Sequence, residues 1–274
     1  MDKRFFDRVV RLDAGRAGET GKSWTDLRFT FEAVKTSSRE PDTLALTVYN
    51  LNEDSRGMLQ QPDMIVRLFA GYRGQGAKPP QIFFGDVRAG TVKHVKEGPD
   101  WITTLEAADG GTIYSTARLS RSWDGPILTS DLLRGIAEAM GLDFSGLPDG
   151  ALDLEYQGGF SIMGPARQAL DDVARSAGVR WAIQDGELAV WTAGGSTGET
   201  AVLLSSSTGL VGTVERMDDG RIAARCLLNG RIKPKRRLQI SSAAWSGIVK
   251  PFSVKHRGDS GWAPDYYTEI EGNE

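Results

Sequence analysis

The sequence predicts a mainly β protein with an α+β insert, in which two barrel-like β-domains flank a helix-plus-hairpin module. Apolar and polar residues alternate through most of residues 1–117 and again through residues 208–274, as they do in strands with one buried face. Between residues 118 and 207 the apolar spacing changes to that of helices. The three predicted domains are therefore residues 1–117, 118–207 and 208–274.

The clearest element of the first block is a β-hairpin in residues 27–52, LRFTFEAVKTSSREPDTLALTVYNLN. Every second residue from Leu27 to Ala33 is apolar, and the residues between them are mostly polar. Residues 37–42 have the composition of a turn, and the apolar face resumes at Leu44. A short edge strand at residues 8–12 precedes this hairpin.

The rest of the first block predicts one helical turn at Glu53–Leu59 and four further strands. Those strands are residues 64–71, Gln81–Val87, residues 91–95 and residues 101–107. Antiparallel strands tend to close into barrels because open edges invite aggregation. We therefore expect a closed or nearly closed sheet.

The insert predicts two helices. Thr129 or Ser130 is expected to cap the first, which runs to Met140 and is stopped by Gly141. Pro165 suits the start of the second. Its apolar residues recur at helical spacing up to Gly178, and they are Ala166, Ala169, Leu170, Val173, Ala174 and Ala177.

A hairpin follows the second helix, with Asp185-Gly186 as its two-residue turn. Leu170, Val173, Trp181 and Leu188 are expected to share one small core. Residues 194–200 read as a Gly/Ser/Thr linker. The last block is again predicted as strands, with turn signals at Asp219-Gly220, Asn229-Gly230, Ser246-Gly247 and residues 259–261.

Composition excludes several classes of protein. The chain has 274 residues with a formal net charge of -3, so the total charge implies no general attraction to nucleic acid or membranes. One cysteine, Cys226, excludes an intramolecular disulfide, and its strand pattern predicts a small buried side chain. The chain therefore fits assembly in a reducing cytoplasm. We expect no membrane span, since no run approaches ~18 apolar residues, and no signal peptide.

The sequence offers little for catalysis, metal binding or cofactor binding. His256, Asp259 and Ser260 are too close along one turn to form a catalytic triad, and two distant histidines with one cysteine make no zinc set. The carboxylate pairs 171–172 and 218–219 are better explained as a solvated helix face and a turn. Residues 194–198 lack the ending of a phosphate-binding loop. We therefore expect no enzyme, no catalytic or metal-binding residues and no cofactor.

A basic run is the sharpest local charge feature. Its cations are Arg231, Lys233, Lys235, Arg236 and Arg237. Pro234 and the alternation with Ile232 suggest a tight turn with charge on its solvent face. A subunit interface with an acidic neighbour and binding to nucleic acid remain the other interpretations.

Six of the seven tryptophans fall into two groups. Trp181 and Trp191 alternate with strand residues and are predicted to pack in a core. The second group lies near turns, where aromatic residues could contact a partner: Trp24, Trp123, Trp245 and Trp262. A sugar-binding surface would need a row of exposed rings.

Several motifs occur in a fixed order along the chain. The segment of residues 27–52 is followed by AGY (70–72), IFFGDV (82–87) and WITTLEAAD (101–109). Next come GPARQALDDVARSAGVRWAIQDGEL (164–188), LLN (227–229) with Ile232, and VKHRGDSGWAPDYYTEIE (254–271). In this order they resemble the baseplate hub proteins of bacteriophage tails, and the resemblance spans nearly the whole chain.

The chain departs from the pattern of that family in its last block. Gly230 stands where the family usually has proline, and the family's P-G-D becomes Pro234-Lys235-Arg236. The tryptophan expected before the closing threonine is replaced by Tyr266-Tyr267. These departures concern the detail of the last β-domain.

The resemblance implies a structural role in virion assembly. It implies a homotrimer whose two β-domains per subunit make a ring of pseudo-six-fold symmetry between a hexameric tail tube, or distal tail protein, and a trimeric central spike. The insert would face wedge components of the baseplate. The protein would be made in the bacterial host cytoplasm and reside in the tail. The alternatives are a peptidoglycan or polysaccharide hydrolase and a sugar-binding β-module.

Overall fold

The computed structural model describes residues 7–16, 19–38, 40–75, 78–109, 117–196, 201–261 and 263–274. The chain divides into two compact units: Met1–Asp109 with Ala201–Glu274, called the β unit, and Gly110–Thr200, called the insert unit. The prediction of a mainly β fold with a small helical insert is confirmed, with 51% strand and 12% helix. Domain boundaries at residues 117 and 207, and two separate barrel-like domains, stay predictions.

The described residues of the β unit contain most of the strands, one short α-helix and a 3-10 turn at Arg73–Gln75. Its first segment has β1 Arg8–Gly15, β2 Lys22–Trp24, β3 Phe29–Thr36, β4 Thr43–Tyr49, α1 Glu53–Leu59, β5 Ile65–Tyr72, β6 Gln81–Val87, β7 Lys93–Glu97 and β8 Asp100–Ala108. Its second segment has β15 Val202–Ser205, β16 Leu210–Arg216, β17 Arg221–Leu227, β18 Leu238–Ser241, β19 Ser246–Asp259 and β20 Tyr266–Asn273.

In residues 117–196, the part that the structure describes, the insert unit has two helices and three pairs of strands. In chain order its elements are β9 Arg118–Trp123, β10 Ile127–Leu128, α2 Thr129–Ala139, β11 Glu155–Tyr156, β12 Phe160–Pro165, α3 Ala166–Ser176, β13 Val179–Gln184 and β14 Glu187–Thr192. The pairs are β9 with β12, β10 with β11, and β13 with β14.

One sheet joins the two segments of the β unit. Its strand order is β16-β17-β20-β19-β3-β4-β8-β6-β5-β1-β2, with β7 on β8 and with β15 and β18 attached beside β19. The junction is the antiparallel pair of β19 and β3, in which Ser253 lies opposite Thr36 and Asp259 opposite Thr30. The first and last blocks of the sequence therefore share main-chain hydrogen bonds.

The described residues of the β unit form two apolar cores. The first is enclosed mainly by β1, β3, β4, β5, β6 and β8, and Leu228 and Tyr266 from the second segment also lie in it. The second is formed by β15 to β20, with Cys226 fully buried in it, as the strand pattern predicted. Burial raises the pKa of the Cys226 thiol to about 12, so it stays protonated near neutral pH.

The predicted hairpin of residues 27–52 is present as β3 and β4. Phe29 lies opposite Val48, and the alternate residues Phe29, Phe31 and Ala33 are buried. The predicted helical turn is α1, and the side chain of Asn52 caps it by accepting a hydrogen bond from Ser55 N at 2.9 Å.

In the insert unit, the predicted cap of the first helix is wrong. Leu128 precedes α2, and Thr129 is already helical. The cap comes instead from Asp153, whose Oδ1 accepts from Ser130 N at 2.9 Å and whose Oδ2 accepts from Ser130 Oγ at 2.8 Å. A carboxylate from a distant loop takes the place of the local side chain because it reaches the same first-turn N–H.

The helix-plus-hairpin part of the insert agrees with the sequence analysis. Pro165 immediately precedes α3, and Gly178 follows its end with φ of 70°. Asp185 and Gly186 both have positive φ, 57° and 83°, as a two-residue hairpin turn requires. The predicted small core is confirmed, since one buried cluster contains Leu170, Val173, Trp181 and Leu188. The predicted linker is described only as far as residue 196.

Candidate interaction surface

The residues that could suggest a catalytic triad have other partners. His256 lies in β19, fully buried, with Nδ1 3.0 Å from Thr268 Oγ1. Asp259 forms an ion pair with Arg28 at 2.7 Å. Ser260 Oγ accepts a hydrogen bond from Phe29 N at 2.9 Å. The arrangement holds the end of β19 against β3 and presents no activated hydroxyl.

The electrostatics of Asp259 fit this structural role. Burial disfavours its charged form, but hydrogen bonds from the Arg28 side chain and from Gly261 N outweigh burial and hold the pKa of the carboxyl below its usual value. The carboxylate is therefore ionised near neutral pH and cannot serve there as a proton donor.

The two adjacent carboxylate pairs do not converge on a cleft. Asp171 accepts a hydrogen bond from Trp181 Nε1 at 3.0 Å, and Asp172 lies 3.4 Å from Arg175 on the same helix. Asp219 belongs to a turn and accepts from Arg221 Nε at 2.6 Å. Among the described residues, no group of three His, Cys, Asp or Glu side chains could hold a metal ion.

Two shallow concavities lie on the outer faces of the sheet in the β unit. One, of about 550 Å³, lies over β19, β3, β4 and β8, and Glu32 and Glu106 flank Ala45 there in neighbouring strand positions. Glu32 lies 3.5 Å from Arg257, and Glu106 lies 3.7 Å from Arg88. Each of these two carboxylates therefore lies beside an arginine on the surface of the sheet.

The second concavity, of about 610 Å³, lies over β1, β2, β5 and β6. Outward-facing phenylalanines are covered here by arginines: Arg11 stacks on Phe69 at 4.0 Å, and Arg67 on Phe84 at 5.0 Å. In these stacks the guanidinium groups lie over rings on the solvent side of the sheet.

The tryptophans do not form a sugar-binding row in the described part of the chain. Trp181 and Trp191 are buried, as predicted. Trp24, Trp123 and Trp245 are partly buried, each against one of the apolar cores. Trp262 lies outside the described residues, so its proposed partner contact stays a prediction.

The basic run forms an anchored turn between β17 and β18, called here the basic turn (residues 231–237). Asn229 organises its start, because its side-chain Oδ1 accepts from Arg231 N and its carbonyl oxygen accepts from Ile232 N, both at 3.1 Å. The Arg236 side chain then closes the turn by donating from Nη1 to Arg231 O at 3.0 Å. One of the five cations therefore holds the turn in shape.

The basic turn is also tied to the body of the β unit. Lys235 N donates to Pro251 O at 2.7 Å, and Ile232 and Pro234 are buried beneath the turn. Arg231 and Arg237 are exposed, while Lys233, Lys235 and Arg236 are partly exposed. This is the tight turn with solvent-facing charge that the sequence indicated. Its role as an interface stays a prediction.

Gly230 presses the start of the basic turn against the segment before β6. A Cβ atom at this position would lie 2.8 Å from Ile82 Cγ2 and 2.9 Å from Pro80 Cγ. A larger residue would require these neighbours to shift. This contact gives a physical reason for glycine where the resembled family has proline, and periodicity in the sequence could not have shown it.

No protein-family model and no curated protein matches the sequence. Solved structures do match. A tail protein from Neisseria meningitidis MC58 is 11% identical, with 97% of this chain and 96% of that chain covered and a TM-score of 0.61. The 43 kDa tail protein of prophage MuSo2 from Shewanella oneidensis is 7% identical, with 96% of each chain covered and a TM-score of 0.59.

A third similar structure comes from the Francisella PdpA-VgrG complex, half-lidded. It is 7% identical, with 97% of this chain but 58% of that chain covered and a TM-score of 0.51. The chain therefore has the fold of phage tail proteins, as the resemblance implied, and the similarity includes both the β unit and the insert unit. No helix in the described residues is long and apolar enough to cross a membrane.

Proposed function

We propose that this chain is a structural baseplate hub protein of a phage tail or a phage-derived particle. The observation that carries the proposal is the fold shared over almost the full length of this chain and of two phage tail proteins. Similarity limited to one β-domain would support only a common structural module. Similarity that extends across the insert as well supports a common role.

The proposed assembly is a homotrimeric ring. Each subunit contributes the strands of its first and last segments, and three subunits with two β-domains each match the six-fold symmetry of a tail tube. The other side of the ring keeps three-fold symmetry and receives a central spike. The insert unit faces wedge components, and the complete ring resides in the virion tail.

The role is non-catalytic in this proposal. The triad candidates are engaged with other partners, the adjacent carboxylates do not converge, and Glu32 and Glu106 each lie beside an arginine. A hydrolase would be revealed by turnover of peptidoglycan or polysaccharide by pure protein. Loss of that turnover in Glu32→Gln or Glu106→Gln would place the reaction in the first concavity and contradict the structural role.

The ring is tested by counting subunits. Particles are assembled in cells that express this chain with its flanking genes, and the copy number is measured by imaging and quantitative mass spectrometry. We expect three copies per particle, located between tube and spike. Six copies, one copy, or absence from the particle would refute the hub proposal.

A further inference from the structure

Three ionisable residues lie buried in one row across the sheet of the β unit. Continued by one residue, the registers of β3 with β4 and of β4 with β8 place Lys35 opposite Asp42, and Asp42 opposite Asp109. The second of these steps is marked by the hydrogen bond from Asp109 N to Asp42 O, at 2.9 Å. The three residues are 1%, 3% and 2% exposed. They are therefore neighbours on the inner face of the sheet, with Asp42 in the middle.

Apolar residues flank this row. Val254 of β19 lies opposite Lys35 and is fully buried. Two residues further along β3 and β4, on the same face, Ala33 lies opposite Leu44, and both are buried. An ammonium group and carboxylates enclosed in this way have lost their hydration, which is costly for each charge even where opposite charges lie close together.

The carboxyl group of Asp42 is held in a defined orientation. Its Oδ1 accepts a hydrogen bond at 2.9 Å from the backbone N of Thr36, the residue that follows Lys35. Cβ atoms directly opposite each other on neighbouring antiparallel strands lie about 4.5–5.5 Å apart, a gap that the flexible four-carbon stem of lysine can span. The fold therefore brings an amine and a fixed carboxyl carbon within reach of each other, with a second carboxyl group beyond them.

We infer that the side chains of Lys35 and Asp42 join in a covalent amide bond, with Asp109 as the group that relays protons during its formation. The bond closes residues 35–42 into a ring and ties the end of β3 to the start of β4. The reaction occurs once in each chain and involves no turnover, so it agrees with a structural role. It does not depend on the proposed hub function.

The reaction is a condensation that needs no other reactant. The bond between Lys35 Nζ and Asp42 Cγ forms, and the bond between Asp42 Cγ and Oδ2 breaks. Oδ2 leaves as water with two of the three protons of the lysine ammonium group, and the third stays on the amide nitrogen. Asp109 takes the two protons from Nζ and delivers them to Oδ2, so it ends in the state in which it began. No atom is oxidised or reduced.

The surrounding structure favours this condensation in three ways. Thr36 N stabilises the negative charge that grows on Oδ1 while Cγ is tetrahedral. The two reacting groups are held on paired strands, so they meet without the entropy cost of a bimolecular reaction. A neutral amide replaces an ammonium and a carboxylate, and the cost of keeping these two charges out of water is thereby removed.

The test is the mass of the purified full chain under denaturing conditions. We expect wild type to be lighter than its sequence by one water, and Lys35→Met to have its full sequence mass. A cyclic imide at an Asp-Gly sequence would also remove one water, so a tryptic digest locates the bond. Trypsin cleaves after Arg39, and the amide should hold the two products, residues 29–39 and 40–56, together as one branched peptide.

The relay is tested with Asp109→Asn, which keeps the shape of the side chain and removes its capacity to accept protons. We expect the branched fraction to fall by about ten-fold or more at a fixed time after synthesis. The matched control is Asp54→Asn, an exposed carboxylate elsewhere in the β unit, which should stay fully branched. Thermal unfolding checks the fold of each variant.

Wild type at its full sequence mass, or a digest in which the two peptides separate, would overturn the inference, and this result needs no variant to fold. A bond from Lys35 to Asp109 would overturn the assignment of Asp42 as the acceptor. Complete branching in folded Asp109→Asn would overturn the proton relay. The hub proposal is judged separately, on assembled particles.

Discussion

Tyr266 shows how one side chain can join distant parts of a chain. Its hydroxyl accepts a hydrogen bond from Gly71 N at 3.1 Å and lies within donating distance of Val9 O, at 3.1 Å, and of Gly71 O, at 3.0 Å. Its ring packs edge-on against Phe31 and Tyr72. Burial raises the pKa of this phenol far above its usual value, so it remains a donor at any physiological pH.

We expect Tyr266→Phe to destabilise the protein by about 1–3 kcal/mol, because it keeps the ring but leaves buried Gly71 N without its acceptor. Tyr267→Phe is the control, since this neighbouring ring is only partly buried. Urea unfolding measures both variants. Equal urea midpoints for Tyr266→Phe and wild type would show that the hydroxyl contributes nothing to the stability of the fold.

The ion pair of Arg28 and Asp259 makes a prediction about pH. The folded-state pKa of Asp259 is lowered, so its contribution to stability is present above the unfolded value of about 3.9 and is lost as the pH falls through the folded value. We expect Asp259→Asn to be destabilised at neutral pH. The difference from wild type should shrink as the pH is lowered below about 4.

Urea unfolding at several pH values measures this difference. Asp265→Asn is the control, because it removes an exposed carboxylate from the same loop. A difference between Asp259→Asn and wild type that stays constant with pH would show that the ionised carboxylate is not the stabilising group.

At the scale of single residues, sequence patterns predicted burial better than they predicted partners. Alternation correctly placed Phe29, Phe31 and Ala33 inside the sheet. The same alternation places Lys35 inside, and it is indeed 1% exposed; buried Asp42 and Asp109 directly flank the paired ends of β4 and β8. The two-residue alternation of a strand gives no reason to bury a charged side chain, because polar groups distant in the sequence are brought near it only by the fold.

Among the elements, those specified by local chemistry were predicted and those that depend on distant partners were not. The Asp185-Gly186 hairpin follows from a two-residue turn that needs positive φ. The pairing of β3 with β19 joins residues more than 200 positions apart, for which periodicity carries no information. The anchoring of the basic turn on Pro80 is non-local in the same way.

The cap of α2 by Asp153, which the sequence analysis did not predict, leads to a test. Asp153→Ala should destabilise the insert unit by about 0.5–2 kcal/mol, because it leaves the first-turn amide of Ser130 without a protein acceptor. Asp149→Ala, an exposed change in the preceding loop, is the control. Thermal unfolding compares them. A larger effect from Asp149→Ala would contradict the assignment of the cap.

The core beneath α3 leads to a second test at this scale. Leu170 is fully buried in the cluster with Val173, Trp181 and Leu188, so Leu170→Ala should cost about 2–5 kcal/mol. Leu152→Ala is the control, because Leu152 is 56% exposed in the same unit. A melting temperature for Leu170→Ala equal to that of the control would mean that this helix face is not packed.

For the whole molecule, the separate apolar cores of the β unit and the insert unit predict that each unit responds separately to a destabilising substitution. The two segments of the β unit share the β3–β19 ladder and the Tyr266 hydrogen bonds, so residues 1–109 and 201–274 should lose protection together. The insert unit has its own core and its own helices. Local opening in one unit should therefore leave amide protection in the other largely unchanged.

Hydrogen exchange of the two destabilised variants tests this reciprocity. Tyr266→Phe should accelerate exchange in both β3 and β19 while α3 keeps its protection, and Leu170→Ala should accelerate α3 while β3 and β19 keep theirs. Each variant thereby serves as the control for the other. If Tyr266→Phe accelerated exchange in β19 but not in β3, the first and last blocks would behave as independent domains, and the shared sheet would not be a cooperative unit.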